Sequence, residues 1–338
     1  MSLTKMDYEE HPSEESANNR PGAPTRWLRF PNLSRLLRWA ILFTVAGWLY
    51  LNWHADKPLE ELVAHYSYPE SRFIHVDGME VHYRVCGQGE PIVLLHDANS
   101  SMHTWAAWTD SLSRQYQVIS LDLPGFGLTG PHPQASYSTF MYTGFFDKFV
   151  QTLHLNKFHL AGNGLGAQIA WFYATEHPER LNKLILLNAP GFEEKSGSWI
   201  EWAARTPVIN RVMWKITPRK FIHLMLEDVY ADDRNVSEAL IDRHFDLLLR
   251  PGNRKAFTDR ASVSENRPPV DLVEKINVPT LILWGAEDTR ISPEYAYDFH
   301  GKIHKSLLRI YQNTGHWPQE ENPGMTAKDV QRFLEGRF

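Results

Sequence analysis

The 338-residue chain holds one cysteine, Cys86, so no disulfide can form within it. That cysteine reads as a small strand residue, and its isolation fixes no compartment, because exported proteins also do without disulfides. Neither sign of charge dominates. The 35 Lys and Arg against 40 Asp and Glu give a formal charge of -5, which offers no broad basic face for nucleic acid. The 16 histidines are scattered rather than set at metal-ligand spacings, so no metal site and no cofactor are expected. No internal repeat or low-complexity tract follows Trp53. What is present, 43% hydrophobic and 22% charged, suits one large core with an appendage.

The front of the chain has few large apolar groups. The segment EEHPSEESANNRPGAP is too poor in them to offset chain entropy, and residues 1–35 are expected to form a disordered, basic and polar tail. From Leu36 to Trp53 the sequence is almost wholly apolar apart from Arg38. About 18 residues at 1.5 Å each give roughly 27 Å, enough for a thin hydrocarbon core with Arg38 snorkelling. Arg26, Arg29 and Arg35 precede this run, Arg38 lies near its start, and Asp56, Glu60 and Glu61 follow it. The positive-inside rule then predicts a single-pass anchor over 36–53, with a cytoplasmic N-terminus and the rest of the chain on the other side. Residues 54–70 read as a linker.

Beyond the linker, FIHVDGMEVHYRV predicts a hairpin turning at Asp77-Gly78. Continuous apolar runs follow (PIVLLH, YQVISLDLPG, KFHLAG, KLILLNAP, PTLILWG), separated by helical stretches. Such runs suit parallel strands covered on both faces, and the fold class is α/β: a mostly parallel central sheet with helices on both sides. Residues 71–192 and 266–338 form this core. The interval 193–265 is too long for an ordinary crossover and carries helical patterns, so it is predicted as a helical cap over the strand ends.

The most informative absence lies in HLAGNGLGAQIAW, His159 to Trp171, which reads as a strand entering a helix through a glycine turn whose centre, Gly164, has no side chain. In order along the chain stand LLHDANSSMHTW, LDLPGFGLTGP, GNGLGA, LWGAEDTRIS and NTGHWPQEENP. This ordered series resembles the α/β-hydrolase family from about Arg72 to the C-terminus, with the chain order nucleophile, acid, base. The resemblance implies that Asp288 is the acid that orients the imidazole, His316 the general base, the amides of Ala98 and Leu165 the oxyanion hole, and Gly164 the nucleophile position. His96, Asp97, Asn163 and Ser100 are expected to line the pocket. The similarity is to carbon-carbon hydrolase, esterase and epoxide-hydrolase branches with a helical cap.

Two departures bear on the chemistry. With Gly164 the attacking atom is gone, and loss of one triad member costs about a millionfold in turnover. Where the family's usual His-Gly follows the third strand, this chain has His96-Asp97. An ionised Asp97 facing the cavity opposes an oxyanion beside Ala98, whereas an Asp97 that caps a neighbouring amide leaves it unaffected. Ser100 and Ser101 are the nearest hydroxyls in sequence, and loop serines mostly bond to backbone. The expectation is a membrane-anchored hydrolase-fold protein with serine chemistry lost or strongly impaired and a pocket for a small apolar ligand. The alternative is a hydrolase or lyase in which His316 and Asp288 act as a base on water or on a small ester or carbonyl substrate.

Overall fold

The structure, a computed structural model, describes residues 33–192, 206–263 and 268–337. The expected tail over 1–35 lies almost entirely outside the described residues, as do 193–205 of the expected cap.

The described residues up to Trp48 and those from Leu49 onward belong to two separate units. Helix α1, Leu33–Leu51, carries the expected span: 19 residues, none of them buried, with Leu36, Leu37, Trp39, Ile41, Leu42 and Phe43 all exposed. Among the described residues no helix is long and apolar enough to cross a membrane. Arg35 and Arg38 reduce the hydropathy at one end of α1, and the helix stops at Leu51, short of the expected Trp53.

Within the second unit the described strands form one eight-stranded sheet. Strands β1 (Ser71–Val76) and β2 (Met79–Cys86) pair as the antiparallel hairpin, with Asp77 and Gly78 both at positive φ, as a tight two-residue turn requires. The sheet continues through β4 (Tyr116–Leu121), β3 (Glu90–Leu95), β5 (Phe158–Asn163), β6 (Leu181–Leu187), β7 (Thr280–Gly285) and β8 (Ser306–Tyr311) in the order β1-β2-β4-β3-β5-β6-β7-β8. From β4 onward every pairing is parallel. All six residues of β5 and all six of β7 are buried, which explains why their sequences lack alternation. Core clusters lie on both faces of the sheet, one including Phe145, Phe146, Phe149 and Trp171, the other Trp105, Trp108, Val330 and Phe333.

Between β6 and β7 the described residues form helices Pro207–Met213, Arg219–Glu227, Glu238–Leu248 and Asn253–Ser262. Helix Arg219–Glu227 packs on Glu238–Leu248 through Ile222, Leu226, Leu240 and Ile241, a cluster that also takes in Trp317. Trp317 follows His316, so this helical layer rests directly on the loop after β8. At the C-terminal end of β4, buried Asp122 accepts from the amides of Met102 and Leu128 at 2.8 Å each and pairs with His82 Nδ1 at 2.7 Å. One carboxylate thereby ties together the loops that follow β3 and β4 at the end of the sheet where the site lies.

Candidate active site

The site forms where β3, β5, β7 and β8 end. Gly164 follows β5 with φ 51° and ψ -117° and begins helix α5, Leu165–Glu176. A side-chain-bearing residue in that region is strained by about 1–3 kcal/mol, which glycine escapes. The turn is also crowded, because a Cβ on Gly164 would overlap the carboxylate of Asp97, and one on Gly166 would meet the carbonyl of Leu95.

His316 stands in the loop after β8 and is 3% exposed. Its amide donates to the Val229 carbonyl at 2.8 Å, and its carbonyl accepts from Asn163 Nδ2 at 3.0 Å, so the residue is held from two sides. Asp288, after β7, meets His316 Nδ1 at 2.8 Å. The remaining capacity of that carboxylate is taken by the amides of Arg290 (2.8 Å) and Ile291 (3.0 Å) and by Asn188 Nδ2 at 2.6 Å. The acid and the imidazole expected from the sequence are therefore brought together in the orientation that a triad uses.

The other ring nitrogen of His316 meets a second carboxylate. Asp97, in the loop after β3, turns its side chain into the space beside Gly164: Oδ1 accepts from the Leu165 amide at 2.8 Å, and Oδ2 lies 3.2 Å from His316 Nε2. Trp317 Nε1 also donates to Oδ2, at 3.2 Å. Of the two alternatives left open by the sequence the structure shows the amide cap, while the second oxygen turns to His316, and Asp97, expected in the pocket, is buried and is not among the residues that line the cavity beneath the helical layer. Leu165 N, one of the two expected oxyanion donors, is occupied by Asp97. Among the described residues the amide of Ala98, the other, has no hydrogen-bond partner.

Electrostatics follow from this geometry. Burial disfavours the charged ring of His316, but Asp288 and Asp97, one on each ring nitrogen, outweigh it and raise the ring to about 10. Burial likewise opposes ionisation of Asp97, yet the contact with His316 and the Leu165 amide hold it well below the usual carboxylate range. Asp288 is lowered in the same way by His316 and Asn188 against its own burial. At neutral pH the trio is an imidazolium between two carboxylates, and a ring in that state has no lone pair with which to take a proton from water.

The other expected residues fall into two groups. Ser100 lines a cavity of about 40 Å3 beneath the helical layer, together with Ser101, Phe126, Ile222 and Leu247. His96 and Asn163, expected in the pocket, are fully buried beneath it instead. The Leu123 amide donates to His96 Nε2 at 2.9 Å, which places the ring hydrogen on Nδ1, where it donates to the Asp97 carbonyl at 2.6 Å. His96 thus fixes the backbone that aims Asp97. Asn163 holds the His316 carbonyl and accepts from Gln319 Nε2 at 3.2 Å. Ser101 Oγ lies 3.0 Å from His103 Nδ1 and makes no contact with His316; burial lowers His103 to about 4, too weak a base to activate it. Among the described residues no cluster of His, Cys, Asp or Glu is arranged to hold a metal ion.

Sequence reasoning missed Trp317 and His244. The two rings stack at 5.6 Å, and His244 Nδ1 lies 2.9 Å from the Leu240 carbonyl. Since a carbonyl only accepts, the hydrogen sits on Nδ1, and Nε2, without a hydrogen-bond partner in the structure, is left as an acceptor on a ring that lines the cavity. Burial lowers His244 to about 3, so the ring is neutral. The adjacency of Trp317 to His316 was visible in the sequence; nothing in the local pattern marked His244.

The α/β-hydrolase fold pattern matches residues 90–270 and 253–323. The chain is 29% identical over 266 residues to 2-hydroxy-6-oxo-2,4-heptadienoate hydrolase of Pseudomonas putida, covering 75% of this chain and 92% of that protein. It is 25% identical over 274 residues to 2-hydroxy-6-oxo-6-(2'-aminophenyl)hexa-2,4-dienoic acid hydrolase of Metapseudomonas resinovorans, covering 79% and 91%. Among solved structures, a bacterial membrane phospholipase A superposes with a TM-score of 0.69 at 25% identity, over 90% of this chain and 98% of that one. The chain belongs to the α/β-hydrolase fold family.

Proposed function

We propose that this protein takes a small, largely apolar organic molecule beneath its helical layer and handles it without an acyl-serine intermediate. The observation that carries the proposal is the pair Gly164 and Asp97. The elbow has no hydroxyl, and the space where one would stand holds a carboxylate bonded to the oxyanion amide of Leu165. Phe126, Ile222, Met225 and Phe257 on the cavity wall favour an apolar ligand. Direct activation of water by His316 in the resting site is disfavoured, because Nε2 faces Asp97 Oδ2 and the ring is protonated.

The test is a fluorophosphonate probe, which labels serine nucleophiles activated by a histidine. The full-length chain is expected to remain unlabelled under conditions in which a serine hydrolase of this fold is labelled to completion. Labelling that maps to any serine of the unmodified chain overturns the proposal.

We propose further that α1 attaches the chain to a membrane, with its arginine-rich end on the cytoplasmic side. Its apolar side chains are exposed around the helix, and a helix apolar all round calls for cover by lipid or protein. Similarity to a membrane phospholipase A over 90% of the chain supports the same reading. Full-length protein is expected to sediment with membranes and resist carbonate extraction, while a chain starting at residue 55 stays in the supernatant. Carbonate release of the full-length protein removes the proposal.

A further inference from the structure

Among the described residues, no Lys, Arg, Asp or Glu lines the cavity beneath the helical layer. Its polar groups are nearly all hydrogen-bond acceptors, and their neighbours fix where the hydrogens lie.

His244 Nδ1 donates to the Leu240 carbonyl one turn back along its own helix, and Trp317 covers one face of the ring. The edge that carries Nε2 is therefore the one left to the cavity. That nitrogen has a lone pair and no hydrogen-bond partner, on a residue only 9% exposed. Asn253 spends both amide hydrogens on the carbonyls of Gly127, at 3.1 Å, and Leu247, at 2.8 Å. Its Oδ1 is left unpartnered on a side chain that is 2% exposed. Ser101 also presents lone pairs. Nε2 of His103 donates to the Tyr66 carbonyl at 2.7 Å, so His103 Nδ1 accepts the Ser101 hydroxyl hydrogen, at 3.0 Å. Ser100 differs, because the Ser101 carbonyl lies 3.5 Å from its Oγ, too far to hold the hydrogen firmly. The Ser100 hydroxyl is free to donate.

We propose that this cavity is a binding site for a neutral short-chain alcohol, whose hydroxyl donates to His244 Nε2 and accepts from Ser100 Oγ while its carbons lie against Phe126, Ile222 and Phe257. The inference rests on the reading given above in taking the cavity as the ligand site, and it adds the chemistry of the ligand.

The wall discriminates among small molecules by charge and by hydrogens. A carboxylate brings only acceptors, and it would face the lone pairs of His244, Asn253 and Ser101 with no cation beside it. An ammonium brings hydrogens, but it would be buried with no carboxylate on the wall to offset its desolvation. An ether or a hydrocarbon leaves both orphaned acceptors unpaired, and their desolvation stays uncompensated. A hydroxyl carries one hydrogen and two lone pairs, which matches an unpaired acceptor near a free donor. Volume sets the length of the chain. With about 10–15 Å3 for each water-sized group, a cavity of about 40 Å3 holds about three or four such groups.

Met225, on the cavity wall, reports occupancy through its methyl group. The full-length chain, labelled with 13C at the methionine methyls and 15N in the histidine rings, is titrated with three probes of equal heavy-atom count: 1-propanol, its isomer methoxyethane, and acetate. 1-Propanol is expected to shift the Met225 methyl saturably, with an affinity about tenfold above that of methoxyethane, and to move the His244 Nε2 resonance. Acetate is expected to give no saturable shift. His244→Phe keeps an aromatic ring against Trp317 and deletes the acceptor, so the preference for 1-propanol over methoxyethane should fall to about twofold or less. The His244 nitrogen is read in the unmodified chain, so the test does not depend on the folding of the variant. Equal affinities of 1-propanol and methoxyethane in the unmodified chain overturn the proposal and leave the apolar site standing. Tighter binding of acetate overturns it as well. Absence of a saturable shift with all three probes overturns it together with the broader reading of the cavity.

Discussion

Asp97 and Asp288 approach the same imidazole from opposite ring nitrogens, Asp97 Oδ2 at 3.2 Å from Nε2 of His316 and Asp288 Oδ2 at 2.8 Å from Nδ1. A serine triad has a neutral hydroxyl on the Nε2 side. Replacing it with a charge alters the resting state of the ring, and several measurable consequences come from that change.

Restoring the serine alone should fail. A Cβ at position 164 overlaps the Asp97 carboxylate, so Gly164→Ser must displace a group hydrogen-bonded to Leu165, His316 and Trp317. The double variant Asp97→Gly with Gly164→Ser removes the obstruction and frees the oxyanion amide. Fluorophosphonate labelling is expected to be at least about a hundredfold faster in the double variant than in either single one, in line with the weight of one oxyanion donor. Equal labelling of the single Gly164→Ser variant refutes the steric account.

The imidazolium leaves a signature in stability against pH. The folded value of His316 is raised from 6.5 to about 10, so its contribution is fully present below about pH 6.5 and is lost as pH rises toward 10. The depressed carboxylates, Asp97 and Asp288, contribute above their unfolded values near 3.8 and lose that contribution as pH falls below them. The difference in Tm between the wild-type chain and His316→Gln should therefore shrink between pH 6.5 and 10. A difference that stays constant across this window shows that the ring is neutral in the folded protein.

Removing one charge should lower the ring's affinity for its proton. In Asp97→Asn the imidazole keeps Asp288 but loses the partner on Nε2, and its titration, followed by 15N chemical shifts of the ring, is expected to move at least one unit below that of the wild-type chain. An unchanged midpoint shows that Asp288 alone sets the protonation of His316.

Trp317→Phe keeps most of the ring packed against Tyr230 and His244 but deletes the indole N–H that donates to Asp97 Oδ2. A buried carboxylate losing one donor while retaining two other partners costs about 1–3 kcal/mol. The variant should unfold at lower urea concentration with an unchanged m-value, and the loss should vanish in an Asp97→Gly background. A loss of the same size in both backgrounds assigns it to packing.

Much of the fold was legible because its signals are local. Solid apolar runs for β5 and β7 and the Asp-Gly turn at 77–78 follow from burial and backbone sterics. The order of motifs placed Gly164, Asp288 and His316 without coordinates. Asp97 marked itself as a departure, but its direction depends on whether space exists beside Gly164, which lies 67 positions away in the chain. No periodicity carries that information. His96 was misplaced for a related reason, since a histidine after β3 can point to either side of the loop, and the hydrogen bond from the Leu123 amide selects the inner one. The contribution of the helical layer through His244 arises where a helix meets the loop after β8, a contact between segments whose sequences do not reveal each other.

The interlock of residues 97 and 164 also restricts how such a site can be reached by single exchanges. A side chain at 164 overlaps the seat that the carboxylate holds on the Leu165 amide, so the present geometry accommodates an acid seated from position 97 or a hydroxyl at the elbow, and not both at once. Returning a hydroxyl to the turn therefore asks the loop after β3 to give up that seat.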